Sequence, residues 1–170
     1  MSVVLVSLWA ALASASPAQD LALHHSVEEL RNAVGRWEVA TEFLKEDGSV
    51  AKSVSGSYEF SWIVTDRVVA GRSEMPGQAS GILFHINETK RTIEMVSVGA
   101  DGHLWIMTGA LGGDQRLSQE FKTETGSTSR LRFTRFNVSP NAFESRMELT
   151  DDGGKSWKPG NHQRFRRLAR

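Results

Sequence analysis

Leu30-Arg31-Asn32-Ala33-Val34-Gly35-Arg36-Trp37-Glu38-Val39-Ala40-Thr41-Glu42-Phe43-Leu44 changes its period in the middle. Upstream of Gly35 the apolar residues Val27, Leu30 and Val34 recur at helical spacing, one stripe over about two turns. From Trp37 onward the period is two. Trp37, Val39, Thr41 and Phe43 point one way, while Arg36, Glu38, Glu42 and Leu44 point the other. A short helix handing over to a Trp-led strand is a common opening for a small closed sheet. Ser26-Val27-Glu28-Glu29 has the form of a capping box, which predicts a helix starting at Ser26, and Gly35 supplies its stop.

Downstream, Asp47-Gly48 predicts a hairpin turn into the clearest alternation in the chain. Val54, Gly56, Tyr58, Phe60, Trp62 and Val64 share one face, and Ser53, Ser55, Ser57, Glu59 and Ser61 share the other. One-sided alternation of this kind belongs to an antiparallel sheet with one wet face. Turn signals at Thr65-Asp66-Arg67, Pro76-Gly77, Asn87-Glu88, Asp101-Gly102, Gly112-Gly113-Asp114, Thr125-Gly126 and Ser139-Pro140-Asn141 divide the remainder. The last predicted strand is Gln163 to Leu168, which leaves His162 in the loop before it. About ten strands result, separated by turns roughly every 8–12 residues. Short successive hairpins favour an up-and-down meander, and closure removes exposed edges. The expected fold is all-β: an antiparallel up-and-down barrel with one short N-terminal helix.

The 170 residues suit one domain with a sizeable core. Twenty Lys and Arg balance twenty Asp and Glu, so no net field draws nucleic acid or an anionic membrane. Val3 to Ala13 is apolar but too short to span a bilayer, and small residues follow it in Ser14-Ala15-Ser16-Pro17-Ala18. This predicts a signal peptide over residues 1–18, cleaved after Ala15 or Ala18, then an N-terminal segment with the short helix over 19–34, and the barrel over 35–170. A periplasmic or secreted location follows, with no membrane contact after cleavage. Without any cysteine, such a domain relies on its core and sheet closure.

Catalytic and metal chemistry find little support. There is no Gly-x-Ser-x-Gly elbow, and Glu94, Glu144 and Glu148 fall on strands beside Arg130, Arg132 and Arg135, where ladder pairing is the expected use. His24-His25, His85, His103 and His162 show no metal-ligand spacing, so no metal and no cofactor are expected. Thr150-Asp151-Asp152-Gly153-Gly154-Lys155-Ser156-Trp157 fits an Asp-box, which predicts a rigid hairpin loop held by Asp152. An Arg from the last strand, Arg164 or Arg166, is expected to lie on the Trp37 indole and close the barrel.

Gly35-x-Trp37 after a short helix, with an Arg near the end of the last strand, resembles the closure pattern of lipocalins and calycins. More closely, the chain is similar to a bacterial, often exported calycin-like barrel family with no established function. The shared features are Gly35-x-Trp37, the run Gly81-Ile82-Leu83-Phe84-His85-Ile86-Asn87 into Thr89-Lys90-Arg91, Asp152-Gly153-Gly154-Lys155-Ser156-Trp157, and the terminal Arg164-Phe165-Arg166-Arg167. That resemblance implies a barrel and brings no catalytic residues. Nitrobindin-like haem barrels, which also begin on a Gly-x-Trp strand and place an axial His near the C-terminus, are the alternative, with His162 as the ligand.

The expectation is an exported lipocalin-like barrel, not an enzyme, a monomer or homodimer that binds a small apolar molecule. Phe43, Tyr58, Phe60, Trp62, Met95, Trp105 and Met147 are the expected lining. The competing expectations are haem binding and an envelope structural or interaction protein whose barrel is filled by its own side chains.

Overall fold

The computed structural model describes residues 17–169. The apolar run Val3–Ala13 and a cleavage point after Ala15 lie outside them. Eleven strands follow one helix, α1 (Pro17–Ala33). In chain order they are β1 (Gly35–Leu44), β2 (Val50–Val64), β3 (Val68–Met75), β4 (Gln78–Asn87), β5 (Thr92–Gly99) and β6 (Leu104–Ala110). Then come β7 (Gln115–Ser118), β8 (Phe121–Lys122), β9 (Thr128–Phe136), β10 (Ala142–Thr150) and β11 (Lys158–Arg167).

Each strand pairs antiparallel with its sequence neighbour except at β8, a two-residue strand held only by β9. There β7 pairs directly with β9, Arg116 lying opposite Phe133. β11 lies between β10 and β1, Trp37 opposite Arg167 and Val39 opposite Phe165, which closes a ten-stranded up-and-down barrel. The expected fold class is the observed one.

Along β1 the predicted alternation is the observed one: Trp37, Val39 and Thr41 are buried, and Arg36, Glu38 and Ala40 are exposed. The core gathers at the end that α1 covers, where Val27 and Leu30 of the helix meet Trp37, Val39, Phe60, Val69, Ile86, Ile93, Leu111 and Phe165. Burying one such side chain contributes about 1.5–3 kcal/mol, so this cluster is what seats the helix on the barrel.

The helix departs from the expected one. It begins at Pro17, nine residues before Ser26, with Pro in the first turn and Asp20 favourable at the N-terminal dipole. The apolar stripe extends one turn upstream, since Ala22 and Leu23 also pack on the core. Ser26 is therefore no N-cap. Its buried hydroxyl accepts the Gly112 amide at 2.9 Å, and Glu29 turns inward. His24 and His25 sit on the exposed side of this helix.

Closure is also made differently. Arg167, not Arg164 or Arg166, lies over the Trp37 ring, 4.2 Å from its centroid. Strand alternation explains the correction: Phe165 faces in, so Arg164 and Arg166 face out, where they pair with Glu42 and Glu38. Arg167 reaches Trp37 from the strand end and donates to the carbonyls of Asn32 and Val34, both at 2.7 Å, and of Pro140 at 2.9 Å. It thus caps the C-terminal carbonyls of α1 and covers the indole together. Gly35 has φ +126°, and a Cβ there would sit 2.6 Å from Arg167 Nη1, so this position requires glycine.

The Asp-box loop is built as its residues dictate. Asp152 accepts from the amides of Lys155 and Ser156 at 2.9 and 3.0 Å and from the Ser156 hydroxyl at 2.6 Å. The Ser156 hydroxyl, then its amide, hold the Asp152 carboxyl well below the usual carboxylate range. Asp66 is lowered by Arg31, and Glu42 by Arg164. Carboxylates depressed in the fold add stability that is present above their unfolded values, near pH 4, and lost as pH falls through their folded values. Thermal midpoints measured from pH 5 downward should therefore fall in acid, and Asp152→Asn should flatten that fall. An unchanged acid slope in the variant would contradict the role given to Asp152.

Candidate ligand cavity

Inside the barrel is a cavity of about 360 Å³. The lower end for ligand pockets is roughly 300 Å³, so the barrel is not filled by its own side chains. α1 covers one end through Leu30 and Ala33. Above that floor stand the rings of Trp37, Phe60, Phe84, Phe133, Phe143 and Phe165. Phe143 and Phe165 are a cross-strand pair stacked at 4.1 Å, and Trp37 meets Phe143 edge-on at 5.1 Å while donating its indole N–H to the Ala33 carbonyl at 2.8 Å. Toward the opposite end, where β1 finishes and β6 starts, the wall is formed by Phe43, Met75, Trp105 and Met147.

Six of the expected lining residues, Phe43, Tyr58, Phe60, Met95, Trp105 and Met147, do face the cavity. Trp62 does not. It lies two residues beyond Phe60, at the end of β2 where the strand pairs with the start of β3, and packs against the core near the helix end. Met75, Met95, Met107 and Met147 all line the space, so every methionine but the initiating one of five is here. Thioether side chains adapt their shape to an irregular apolar guest.

Polar side chains are interspersed in the wall, among them Thr41, Gln163 and Asn161. Gln163 donates to Thr41 Oγ1 at 3.1 Å and to Tyr58 at 3.4 Å. Arg116 is the charged group that sequence reading missed. Its side chain is fully buried beside the cavity between the rings of Phe84 and Phe133, 5.8 and 5.7 Å from their centroids. It donates from Nη2 to Glu29 of α1, a carboxylate that also lies 3.6 Å from Arg135. Alternation along β7 by hydropathy would put Leu117 inside and Arg116 outside. A Cβ at Gly109 would lie 2.3 Å from the Gln115 carbonyl oxygen and 3.0 Å from Arg116 Cγ, so glycine there lets the β7 backbone and the base of the arginine come close to β6.

The ionisable residues weighed for chemistry sit elsewhere. His162 lies within β11, not in a loop, and faces outward, stacked on Phe136 and bonded to Glu144 Oε2 at 2.6 Å. His85 faces its cross-strand partner Glu94 at 3.2 Å, and His103 lies tilted against Trp105 with ring centroids 4.3 Å apart. All five histidines are among the described residues and none lines the cavity, so His162 is not placed as an axial ligand inside the barrel. Among the described residues no cluster of metal-ligating side chains occurs. Glu148 pairs with Arg132 across β9 and β10 at 2.9 Å, the expected ladder.

No protein-family model matches the chain, and no curated protein does. Among solved structures, the chain is similar to the S-type phycobiliprotein lyase CPES from Guillardia theta, with a TM-score of 0.50 and 9% identity over 91% of this chain and 99% of that one. It is also similar to EF1p2_mFAP2b bound to DFHBI, with a TM-score of 0.38 and 14% identity over 85% of this chain and 98% of that one. At 9% identity the likeness to the lyase speaks to fold alone. Ten antiparallel meander strands closed by β1 and β11, with a helix across one end, make this a calycin-like barrel.

Proposed function

We propose that the protein is an exported carrier that holds a small, mainly apolar molecule inside its barrel. The observation that supports this is the open cavity of about 360 Å³ walled by aromatic rings and four methionines. A structural protein gains nothing from that space, since unfilled volume of this kind costs packing energy at about 24 cal/mol per Å³. A carrier rather than a catalyst is favoured because Glu94, Glu144 and Glu148 are engaged by His85, His162 and Arg132 away from the cavity.

Export rests on the segment at residues 1–18. Cleavage after Ala15 leaves α1 whole, and cleavage after Ala18 trims its first two residues. Among the described residues no helix is long and apolar enough to cross a membrane. N-terminal sequencing of the protein from a periplasmic fraction should begin at Ser16 or Gln19; an intact Met1 there would refute processing. Size measurement in solution should give a monomer or homodimer.

Binding is tested with the neutral apolar probe N-phenyl-1-naphthylamine. Its fluorescence should rise to saturation at one probe per chain. Met95→Trp, which fills the cavity with a larger side chain, should abolish the rise while the circular dichroism stays that of wild type. No enhancement with the wild-type protein would end the carrier reading.

A further inference from the structure

We propose that the carried molecule is uncharged and presents a carbonyl or hydroxyl oxygen to a strip of protein hydroxyls along one side of the cavity; this names the ligand class for the carrier reading above and rests on it. The lining divides by strand. From β6 to β10 the strands contribute Trp105, Met107, Leu131, Phe133, Phe143 and Met147, together with Arg116 and Arg135 beside Glu29. The uncharged polar side chains of the strands come from the other half, β11 and β1 to β5. There Gln163 lies opposite Thr41, Tyr58 opposite Ser73, and Ser73 opposite Ser80. Ser97 follows two residues from Gly99, the partner of Ser80. The bond from Gln163 to Tyr58 joins these parts into one strip.

The strip has hydrogens to give. Gln163 is used up within the protein: Nε2 donates to Thr41 and Tyr58, and Oε1 accepts from the Ser145 hydroxyl at 3.4 Å. Because the Tyr58 oxygen accepts from Gln163, its own O–H is left to donate. Ser80 and Ser97 are half-buried and line the cavity, and among the described residues no partner takes their hydroxyls. They stand on the same strand faces as Ile82 and Met95, so the part of each left uncovered opens on the cavity. Charge decides what kind of oxygen fits. The two guanidiniums in the lining are already answered, Arg116 by Glu29 and Arg135 by Asp114, and a carboxylate taken from water with no cation to receive it pays heavily for its lost hydration. At the mouth, a Cβ on Gly99 would lie 2.7 Å from Asp101 Oδ1 and 3.9 Å from Ser80 Oγ, which puts a protein carboxylate near the end of the strip. An uncharged oxygen meets the same donors without either penalty. The apolar body of the ligand then lies across the cavity on Met107, Phe133 and Met147.

The test is competition for bound N-phenyl-1-naphthylamine by three naphthalenes of like shape. They are 2-acetylnaphthalene, which carries a carbonyl, 2-isopropylnaphthalene, which has no oxygen, and 2-naphthoate, which is ionised near neutral pH. Wild type should bind the ketone at least about ten-fold tighter than the naphthoate. Combining Tyr58→Phe, Ser80→Ala and Ser97→Ala removes the hydroxyls and keeps the ring of residue 58. Ketone affinity should then fall about ten-fold, the loss of one or two neutral hydrogen bonds, while the affinity for 2-isopropylnaphthalene stays the same. Naphthoate binding to wild type as tightly as the ketone would overturn the proposal. So would a triple variant that loses nothing for the ketone, or loses as much for the hydrocarbon. In each of these cases the probe still binds, so the carrier reading stands; failure of the probe and all three naphthalenes to bind wild type would remove both readings. Should the triple variant fail to fold, Ser80→Ala with Ser97→Ala, which breaks no hydrogen bond within the protein, should lower ketone affinity alone by about three-fold or more, and no loss there would overturn the proposal equally.

Discussion

Trp37→Ala is expected to destabilise the protein by about 3–5 kcal/mol, the range for removing a large buried aromatic side chain. The indole is 1% exposed and touches four partners at once. It packs on Phe143 and Phe165, hydrogen-bonds the last turn of α1 and is covered by Arg167. Its loss thus loosens the first strand, the last strand and the helix together. For a chain of this size the thermal midpoint should fall by about 10 °C or more. Arg164→Ala and Arg166→Ala, which remove outward-facing ion pairs, should each change stability by no more than about 1 kcal/mol. A Trp37→Ala protein as stable as wild type, or Arg164→Ala losing as much as Trp37→Ala, would contradict this account of closure.

Glu29→Gln should cost about 3–5 kcal/mol, because it leaves the Arg116 guanidinium buried without its one partner. The loss comes from the stranded charge rather than from the strength of the pair. Adding Arg116→Met to Glu29→Gln should therefore recover most of the stability, since an apolar side chain of similar reach fills the site between Phe84 and Phe133. Chemical denaturation of the single and double variants makes this a double-mutant cycle. Purely additive losses would show that the two residues do not act as a pair.

How much of this was legible follows from what each signal measures. Alternation reports which residues a sheet buries, and it was strong where the wet face is uniformly polar, as in Ser53, Ser55, Ser57, Glu59 and Ser61 on β2. Strand number, meander order and most of the lining followed from it. The errors fall where a local pattern was outcompeted by tertiary contact. Ser26 and Glu29 spell a capping box, but the helix runs through them because Ala22 and Leu23 extend its packed stripe, and both polar side chains bond to the barrel instead. Arg167 was passed over because strand parity ranks Arg164 and Arg166 as equivalent, whereas the strand end lets Arg167 turn toward Trp37. Arg116 violates the hydrophobic pattern because its partner Glu29 comes from α1, a pairing no local pattern encodes.

Native mass spectrometry of the protein purified from its own host tests the central claim most directly. The predicted spectrum shows a population heavier than the processed chain by the mass of one small organic molecule, lost on gentle activation and absent from Met95→Trp purified in the same way. A wild-type spectrum containing only the bare processed chain, from protein that also leaves N-phenyl-1-naphthylamine dark, would contradict it.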